Sequence, residues 1–150
     1  MGKNVQEEKL KIPASLTELD AILDTTEQMM EPTGASMRTV KAVQLSIEEI
    51  FVNICSYAYP EDYAGEKDCE IIWQLSQQEG SAKMSVWLKD RGTPFDPLDR
   101  EDPDTTLAIK DRGEGGMGLF MVKQYMDRVS YEYKDSQNVV FIEKECQLDI

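Results

Sequence analysis

The apolar residues between positions 36 and 59 recur at intervals of three and four residues. This is the spacing of side chains along one face of an α-helix. The pattern therefore predicts a helix from Ser36 to about Tyr59. Its predicted buried stripe consists of Val40, Val43, Ile47, Ile50 and Ile54.

The N-terminal segment combines a strand pattern with a helix start. Residues 5–12 place a few apolar side chains among charged ones and end at Pro13, which is typical of an exposed strand near a sheet edge. Ser15 stands three residues before Glu18, as in a capping box, and predicts that a helix begins there. Residues 31–34, with the sequence Glu-Pro-Thr-Gly, end that helix.

Two pairs of alternating apolar and polar runs predict β-hairpins. Residues 70–76 and 82–89 flank a glycine-containing turn, and residues 129–134 and 139–144 flank the polar residues 135–138. Two predicted helices precede the first hairpin, and a third precedes the second. Strands joined as hairpins, with helices free to cover one face, predict an α+β fold arranged as a two-layer α/β sandwich with a mixed, mostly antiparallel sheet.

The composition predicts the number of domains and the cellular compartment. The 150 residues are 41% hydrophobic and 30% charged, so we expect one domain spanning residues 1–150. No apolar run approaches the ~20 residues of a membrane span, and the N-terminus lacks a hydrophobic signal region, so a cytoplasmic location without membrane contact is expected. The three cysteines lie far apart in the sequence and predict neither a disulfide framework nor a zinc site.

The charge narrows the classes of ligand. A net charge of −13 argues against direct nucleic-acid binding, which needs a surface of Lys and Arg. Any phosphate ligand would be held locally, by backbone amides or by a metal ion. The chain has no histidine, which excludes a histidine general base, histidine metal ligands and a phosphoacceptor histidine of its own.

The stretch Gly113–Gly118 has four glycines in six residues and leads into apolar positions at helical spacing. Unpaired amides at a helix N-terminus suit a phosphate, although glycines before a helix are equally common in loops without a ligand. Residues 96–112 precede this stretch as a long polar loop, and loops of this length are often lids.

Two further polar groups stand out against apolar surroundings. Glu49 and Asn53 lie one turn apart on the predicted long helix, on a side with small residues where a solvated, charge-rich face would be usual. They form either a binding site or a helix-stabilising pair. Asp90 ends a predicted strand and is followed by Gly92 and Pro94, which indicates a turn with a carboxylate acceptor at its mouth. An ordinary Asx turn is the alternative.

Together these residues resemble the three nucleotide-binding motifs of the GHKL ATPases, a superfamily that includes histidine-kinase catalytic domains and gyrase B and has the Bergerat fold. The motifs are, in order, Glu49-x-x-x-Asn53, Asp90-x-Gly92-x-Pro94-Phe95-Asp96 and Gly113-x-Gly115-Gly116-x-Gly118-Leu119. The length, the short interval between the last two motifs and the chain ends are similar to bacterial anti-sigma-factor serine/threonine protein kinases. The resemblance covers nearly the whole chain.

The resemblance implies a role for each matched residue. Asn53 would bind the Mg²⁺ that bridges the ATP phosphates, Asp90 would accept the adenine amino group, and Gly92 would let the base lie close to the backbone. Glu49 would act as general base toward the hydroxyl of a partner protein. The remaining nucleotide contacts would come from Pro94, Arg112, Gly113, Gly115, Gly116, Met117, Gly118 and Leu119, with Lys110 as an alternative cation to Arg112.

The resemblance also implies partners. It predicts a homodimer that sequesters a sigma factor or similar protein and phosphorylates a Ser or Thr of an anti-sigma-factor antagonist of the STAS type. The sequence departs from the subfamily at Ile54 and Tyr57, where Ala and His are usual. Two alternatives stay open: a nucleotide-gated partner-switching regulator with little or no kinase activity, and the catalytic domain of a split histidine kinase acting on another chain.

Overall fold

The computed structural model describes residues 4–97 and 116–148, with the backbone alone for residues 116–119 and 147. Five strands and three α-helices make up this part of the chain. They are β1 (Asn4–Pro13), α1 (Leu19–Met30), α2 (Met37–Asn53), β2 (Asp68–Gln78), β3 (Ser81–Asp90), α3 (Gly116–Tyr125), β4 (Arg128–Lys134) and β5 (Gln137–Gln147). Every element predicted from periodicity is present.

The strands form one sheet in the order β1-β2-β3-β5-β4, and each described pairing is antiparallel. Strand β1 lies at an edge, as predicted. Alternate side chains of β2, β3 and β5 are buried, and they face the buried stripes of the helices. The α+β two-layer sandwich is therefore confirmed, with the core between the sheet and the helices.

Helix α2 is the central helix of the helical layer, since it packs against both α1 and α3. All five residues of its predicted apolar stripe are buried. Gln44 fixes the neighbouring helix by donating from Nε2 to the backbone oxygen of Leu23 at 3.0 Å. Trp73, fully buried in β2, donates from Nε1 to Thr26 Oγ1 of α1 at 3.0 Å. These buried polar contacts set the position of the helices over the sheet.

Two helix ends differ in detail from the predictions. Ser15 begins a 3-10 turn over Leu16–Glu18, and its hydroxyl accepts from the Thr17 amide at 3.4 Å, so the reciprocal capping-box pairing is not formed. The long helix continues past α2 as a π-helical turn at Ile54–Ala58. Such turns are rare and occur often at functional sites.

The second hairpin turns more tightly than the sequence predicts. Asp135 and Ser136 alone form the turn, with φ values of 55° and 62°. Two successive positive φ angles match the right-handed twist of the flanking strands. The expected turn residues Gln137 and Asn138 therefore belong to β5, and Asn138 pairs with Asp90 of β3 in the register of the sheet.

Candidate functional site

Asp90, the last residue of β3, is held in place from two sides. Its side chain is 5% exposed. The amide of Gly92 and Nδ2 of Asn138 both donate to Oδ1, each at 2.9 Å. No described residue donates a hydrogen bond to Oδ2 of Asp90. The carboxylate thus has one oxygen committed to the protein and one available to a ligand.

Asn138 is the site residue that sequence reasoning missed. It is 3% exposed, and besides the bond to Asp90 its Nδ2 donates to the Thr93 carbonyl at 3.0 Å. Its Oδ1 accepts from the Phe95 amide at 3.1 Å and from the Tyr131 hydroxyl at 2.5 Å. Asn138 thereby fixes both Asp90 and the chain that follows it. No local sequence signal marks this role, because the position of Asn138 opposite Asp90 depends on the strand register.

Burial shifts the pKa of the Asp90 carboxyl. Desolvation raises the pKa of this carboxyl above its usual value, and the hydrogen bonds from Asn138 and the Gly92 amide act in the opposite direction. Carboxylates with a raised pKa in a cleft are typical of functional sites.

Gly92 is required where the chain passes the end of the long helix. The Thr93 amide donates to the Ala58 carbonyl at 2.8 Å, which brings the two segments into close contact. A Cβ atom at Gly92 would lie 2.1 Å from that carbonyl oxygen. The close approach is therefore to the protein's own backbone, while a contact of Gly92 with a base stays a prediction.

We expect Gly92→Ala to lower the free energy of unfolding by roughly 1–3 kcal/mol, because the backbone must shift to admit the methyl group. Chemical denaturation with a matched Gly65→Ala control measures this. At Gly65 the added Cβ would meet the movable side chain of Tyr63, so a change within about 0.5 kcal/mol is expected. Equal effects of the two substitutions would show that the Ala58 contact does not require glycine.

Glu49 and Asn53 interact at the end of α2. Asn53 Nδ2 donates to the Glu49 carbonyl at 2.8 Å and to Glu49 Oε1 at 3.1 Å. Both side chains are half-buried. The expected niche differs at Ser46, which is fully buried and bonds to the Ala42 carbonyl instead of bordering a ligand site. Because Nδ2 of Asn53 is occupied, its Oδ1 is the atom available to a cation.

A cavity brings two of the three predicted motifs together. Its empty space, including the open mouth, is about 390 Å³. Asn53 and Asp90 both line it, with the exposed ring of Tyr57 at its border. The apolar lining comes from Ile50, Ile54, Ala58, Phe95, Pro97 and Val140. An apolar slot with an amide and a buried carboxylate suits a flat, polar-edged ring.

The described residues contain no cluster of three His, Cys, Asp or Glu side chains that could hold a metal ion alone. An amide oxygen such as that of Asn53 is nevertheless a suitable ligand for Mg²⁺, which keeps several waters and often binds with substrate phosphates. The residues thus fit a metal that is bound together with a nucleotide.

Tyr59, the residue after the cavity-lining Ala58, links two segments of the chain. Its hydroxyl donates to the Asp68 carbonyl and accepts from the Arg91 amide at 2.9 Å, which joins the start of β2 to the chain after β3. Burial raises the pKa of Tyr59 to about 12, so its hydroxyl stays protonated. An ion pair of 3.0 Å between Arg91 and Asp68 reinforces the same junction.

The glycine-rich motif is described only in part. Gly116, Met117, Gly118 and Leu119 form the first turn of α3, so the predicted helix is present and begins within the motif. Pro94 follows the Gly92 turn near the cavity. The predicted ligands Arg112, Gly113 and Gly115, the alternative cation Lys110 and most of the predicted lid lie outside the described residues.

The fold, a layer of helices on an antiparallel sheet, is that of the GHKL ATPases. The chain belongs to the histidine kinase-like ATPase domain family, whose model matches residues 12–144. The family resemblance inferred from the three motifs is confirmed. Within the described residues, no helix has both the length and the hydrophobicity to cross a lipid bilayer.

Several curated relatives carry the name serine-protein kinase RsbW. The protein from Listeria innocua is 28% identical over 111 residues, covering 71% of this chain and 67% of the relative. Proteins from Staphylococcus aureus are 24% identical over 137 residues, covering 85% of this chain and 79% of the relative. This chain is thus a histidine kinase-like ATPase domain, and its relatives include proteins named as serine-protein kinases.

A solved structure supports the fold independently. The RsbU and RsbW domains of a Mycobacterium tuberculosis protein match with a TM-score of 0.65, over 96% of this chain. Sequence identity is 13%, so the likeness concerns the fold alone. This chain spans 33% of that longer protein.

Proposed function

We propose that this chain binds ATP with Mg²⁺ and transfers the terminal phosphoryl group to a Ser or Thr hydroxyl of a partner protein. One observation carries the proposal: Asn53 and Asp90 line the same cavity, and Glu49 is hydrogen-bonded to Asn53 at 3.1 Å. In this proposal Asp90 recognises the base, Asn53 binds the metal and Glu49 accepts the proton, and the shared cavity and the Asn53–Glu49 hydrogen bond connect the three. The names of the sequence relatives support the reaction type.

Each residue has a defined part in this reaction. Oδ2 of Asp90 accepts a hydrogen bond from the adenine amino group, while Asn138 and the Gly92 amide keep Oδ1 fixed. Asn53 contributes its Oδ1 to the magnesium ion, which neutralises phosphate charge when bound. Glu49 takes the proton as the acceptor oxygen bonds to the terminal phosphorus and the bond from that phosphorus to the bridging oxygen breaks. Positioning and charge neutralisation supply most of the rate in such transfers.

The glycine-rich segment completes the site in this proposal. The amides of Gly113, Gly115, Gly116 and Gly118 contact the phosphates, with Pro94, Met117 and Leu119 beside the nucleotide and Arg112 as an added cation. The protein partners are an anti-sigma-factor antagonist as substrate and a sigma factor or equivalent protein as the sequestered target. We further propose that the chain acts as a homodimer in the cytoplasm.

A partner-switching regulator with little kinase activity is the second candidate. One observation favours it: Tyr57 borders the cavity at the position where the subfamily usually has His. Tyr57 is 52% exposed and cannot supply a positive charge. In this case ATP or ADP would change the affinity of the chain for its partner. Intact-mass analysis of the partner would detect no phosphorylated protein.

Thermal unfolding with and without Mg-ATP tests nucleotide binding. At 100 times Kd, we expect the ligand to add about 2.7 kcal/mol of stability to the wild type, which raises Tm by roughly 5–11 °C. Asn53→Ala removes the amide oxygen from the metal, so most of this shift should disappear. Asn4→Ala, at the exposed start of β1, is the matched control and should keep it. A wild type without a shift at millimolar ATP would contradict the proposal.

A further inference from the structure

A groove separate from the cavity runs between the first half of α2 and the end of α3. Its empty space, including the open mouth, is about 820 Å³. Arg38 and Lys41 of α2 and Lys144 of β5 line it, together with Leu45 and Tyr125. We call it the basic groove. Among the described residues, the lining of the groove has three cations and no carboxylate, which is unusual for a chain with a net charge of −13.

The charges of the basic groove are available to a partner. Arg38 and Lys41 are exposed, and neither has an ion-pair partner within 4.0 Å among residues 4–97 and 116–148. Lys144 lies 3.8 Å from Asp127, which is the one described acidic group paired with the groove cations. The three cations outnumber this one carboxylate, so the side chains that line the groove complement negative charge.

The basic groove also offers apolar contact. Leu45 is 49% exposed on α2, between the cations and the end of the helix. Ala42 and the ring of Tyr125 continue this surface across the groove. A ligand with carboxylates alone would leave this surface unused, whereas an acidic peptide with an apolar side chain would cover it.

The basic groove and the candidate base lie on one face of α2. Positions 38, 42, 45 and 49 are spaced by four, three and four residues, so they follow one helix face. With a rise of about 1.5 Å per residue, Lys41 and Arg38 stand about 12 and 16 Å before Glu49 along the axis. An extended peptide covers these distances with about four to five residues.

We propose that the basic groove docks an acidic segment of the protein substrate. The segment places carboxylates on Arg38 and Lys41, about four to five residues from the hydroxyl that reaches Glu49, and an apolar side chain on Leu45 between them. This inference rests on the proposed function and names the class of substrate: a protein whose acceptor Ser or Thr lies near an acidic run. Docking in the basic groove also brings the acceptor hydroxyl along α2 to Glu49.

The test uses fluorescein-labelled synthetic peptides and the full chain. One 12-residue peptide carries three Glu and one Leu, and its partner has Gln in place of each Glu. Fluorescence anisotropy at low salt should show at least tenfold tighter binding of the Glu peptide by the wild type. Arg38→Glu with Lys41→Glu should weaken that binding at least tenfold, and added salt should weaken binding by the wild type.

Lys9→Glu with Lys134→Glu is the matched control. It makes the same change in net charge at exposed positions of the two edge strands, and we expect at most a twofold effect. A wild type that does not prefer the Glu peptide, or an equal loss in the control pair, would overturn the inference.

Two additional readouts separate the groove from the nucleotide site. The groove variants should keep the full Mg-ATP thermal shift, and an equal loss of shift and peptide binding would reject a separate docking role. Peptide binding by a wild type without any Mg-ATP shift would instead reject the proposed function and leave the groove as a binding surface.

A peptide series that moves the Ser relative to the Glu run tests the register. Phosphoryl transfer should be greatest at a separation of four to five residues, and equal transfer at every separation would reject the proposed register.

Discussion

Replacing Glu49 by Gln is expected to slow phosphoryl transfer by roughly 10²–10⁴-fold, the usual contribution of a general base. Gln has the same shape and keeps an oxygen for the hydrogen bond from Asn53, but it cannot take a proton from the acceptor hydroxyl. The fold and the Asp90 side of the cavity should be unaffected. The Mg-ATP thermal shift should therefore match that of the wild type while the turnover falls.

The neighbouring Glu48→Gln supplies the control for charge and position. Glu48 is also half-buried on α2, but the helical rotation places it on another face. Single-turnover transfer of radiolabelled phosphate to the substrate protein, followed by gel analysis, separates the chemical step from ATP binding. Undiminished transfer by Glu49→Gln would remove Glu49 from the mechanism, and an equal loss in Glu48→Gln would point to a general effect on the helix.

The Asp90→Asn variant is expected to bind ATP roughly 10- to 100-fold more weakly, because a buried hydrogen bond to a charged acceptor contributes about 1.5–3 kcal/mol. The carboxamide oxygen can replace Oδ1 and keep the bonds from Asn138 and Gly92. Its amino group then occupies the place of Oδ2 and opposes the adenine amino group. The loss should appear in Kd measured by calorimetry, with little change in the stability of the free protein.

Inosine triphosphate is the matched ligand for this prediction. It has an oxygen where ATP has the amino group, so the wild type should prefer ATP and Asp90→Asn should reduce or reverse that preference. An unchanged preference would show that Asp90 does not recognise the base. The comparison uses one protein preparation for both nucleotides, so a folding defect cannot imitate the result.

The raised pKa of Asp90 gives the same prediction a pH dependence. ATP needs the ionised carboxylate, so affinity should fall as the pH is lowered through the pKa of Asp90, which burial raises above its ordinary value. The stability of the free protein has the opposite dependence on this group. Between the unfolded and folded pKa values the folded state binds more protons, so this contribution is largest at low pH and is lost as the pH rises. The chain has no histidine, so no imidazole titration contributes to this pH dependence.

Local sequence accounts for the elements and for the family. The helical spacing from Val40 to Ile54 and the alternation in both hairpins depend on residues close together in the chain, so the pattern alone predicts them. The motifs around Glu49, Asp90 and Gly113 were sufficient to indicate a GHKL ATPase. The composition also indicated an acidic single domain without histidine.

Tertiary structure decided the details of the site. Asn138 reaches Asp90 because the Asp135–Ser136 turn has two residues instead of four, which fixes the register of β5. Gly92 is needed because Ala58, at the end of a π-helical turn, approaches its backbone. Neither fact has a local signal, since each depends on segments that lie more than 30 residues apart in the chain.

The basic groove illustrates the same division. The sequence shows Arg38 and Lys41 as ordinary surface residues of a helix, and Lys144 as one charge in a distant strand. Only the packing of α2 against α3 and the sheet brings the three cations around Leu45 and Tyr125. Periodicity specifies which face of each element is buried, because the apolar side chains must leave water. Which side chains meet between elements depends on register, turn length and helix packing, and these are properties of the folded chain as a whole.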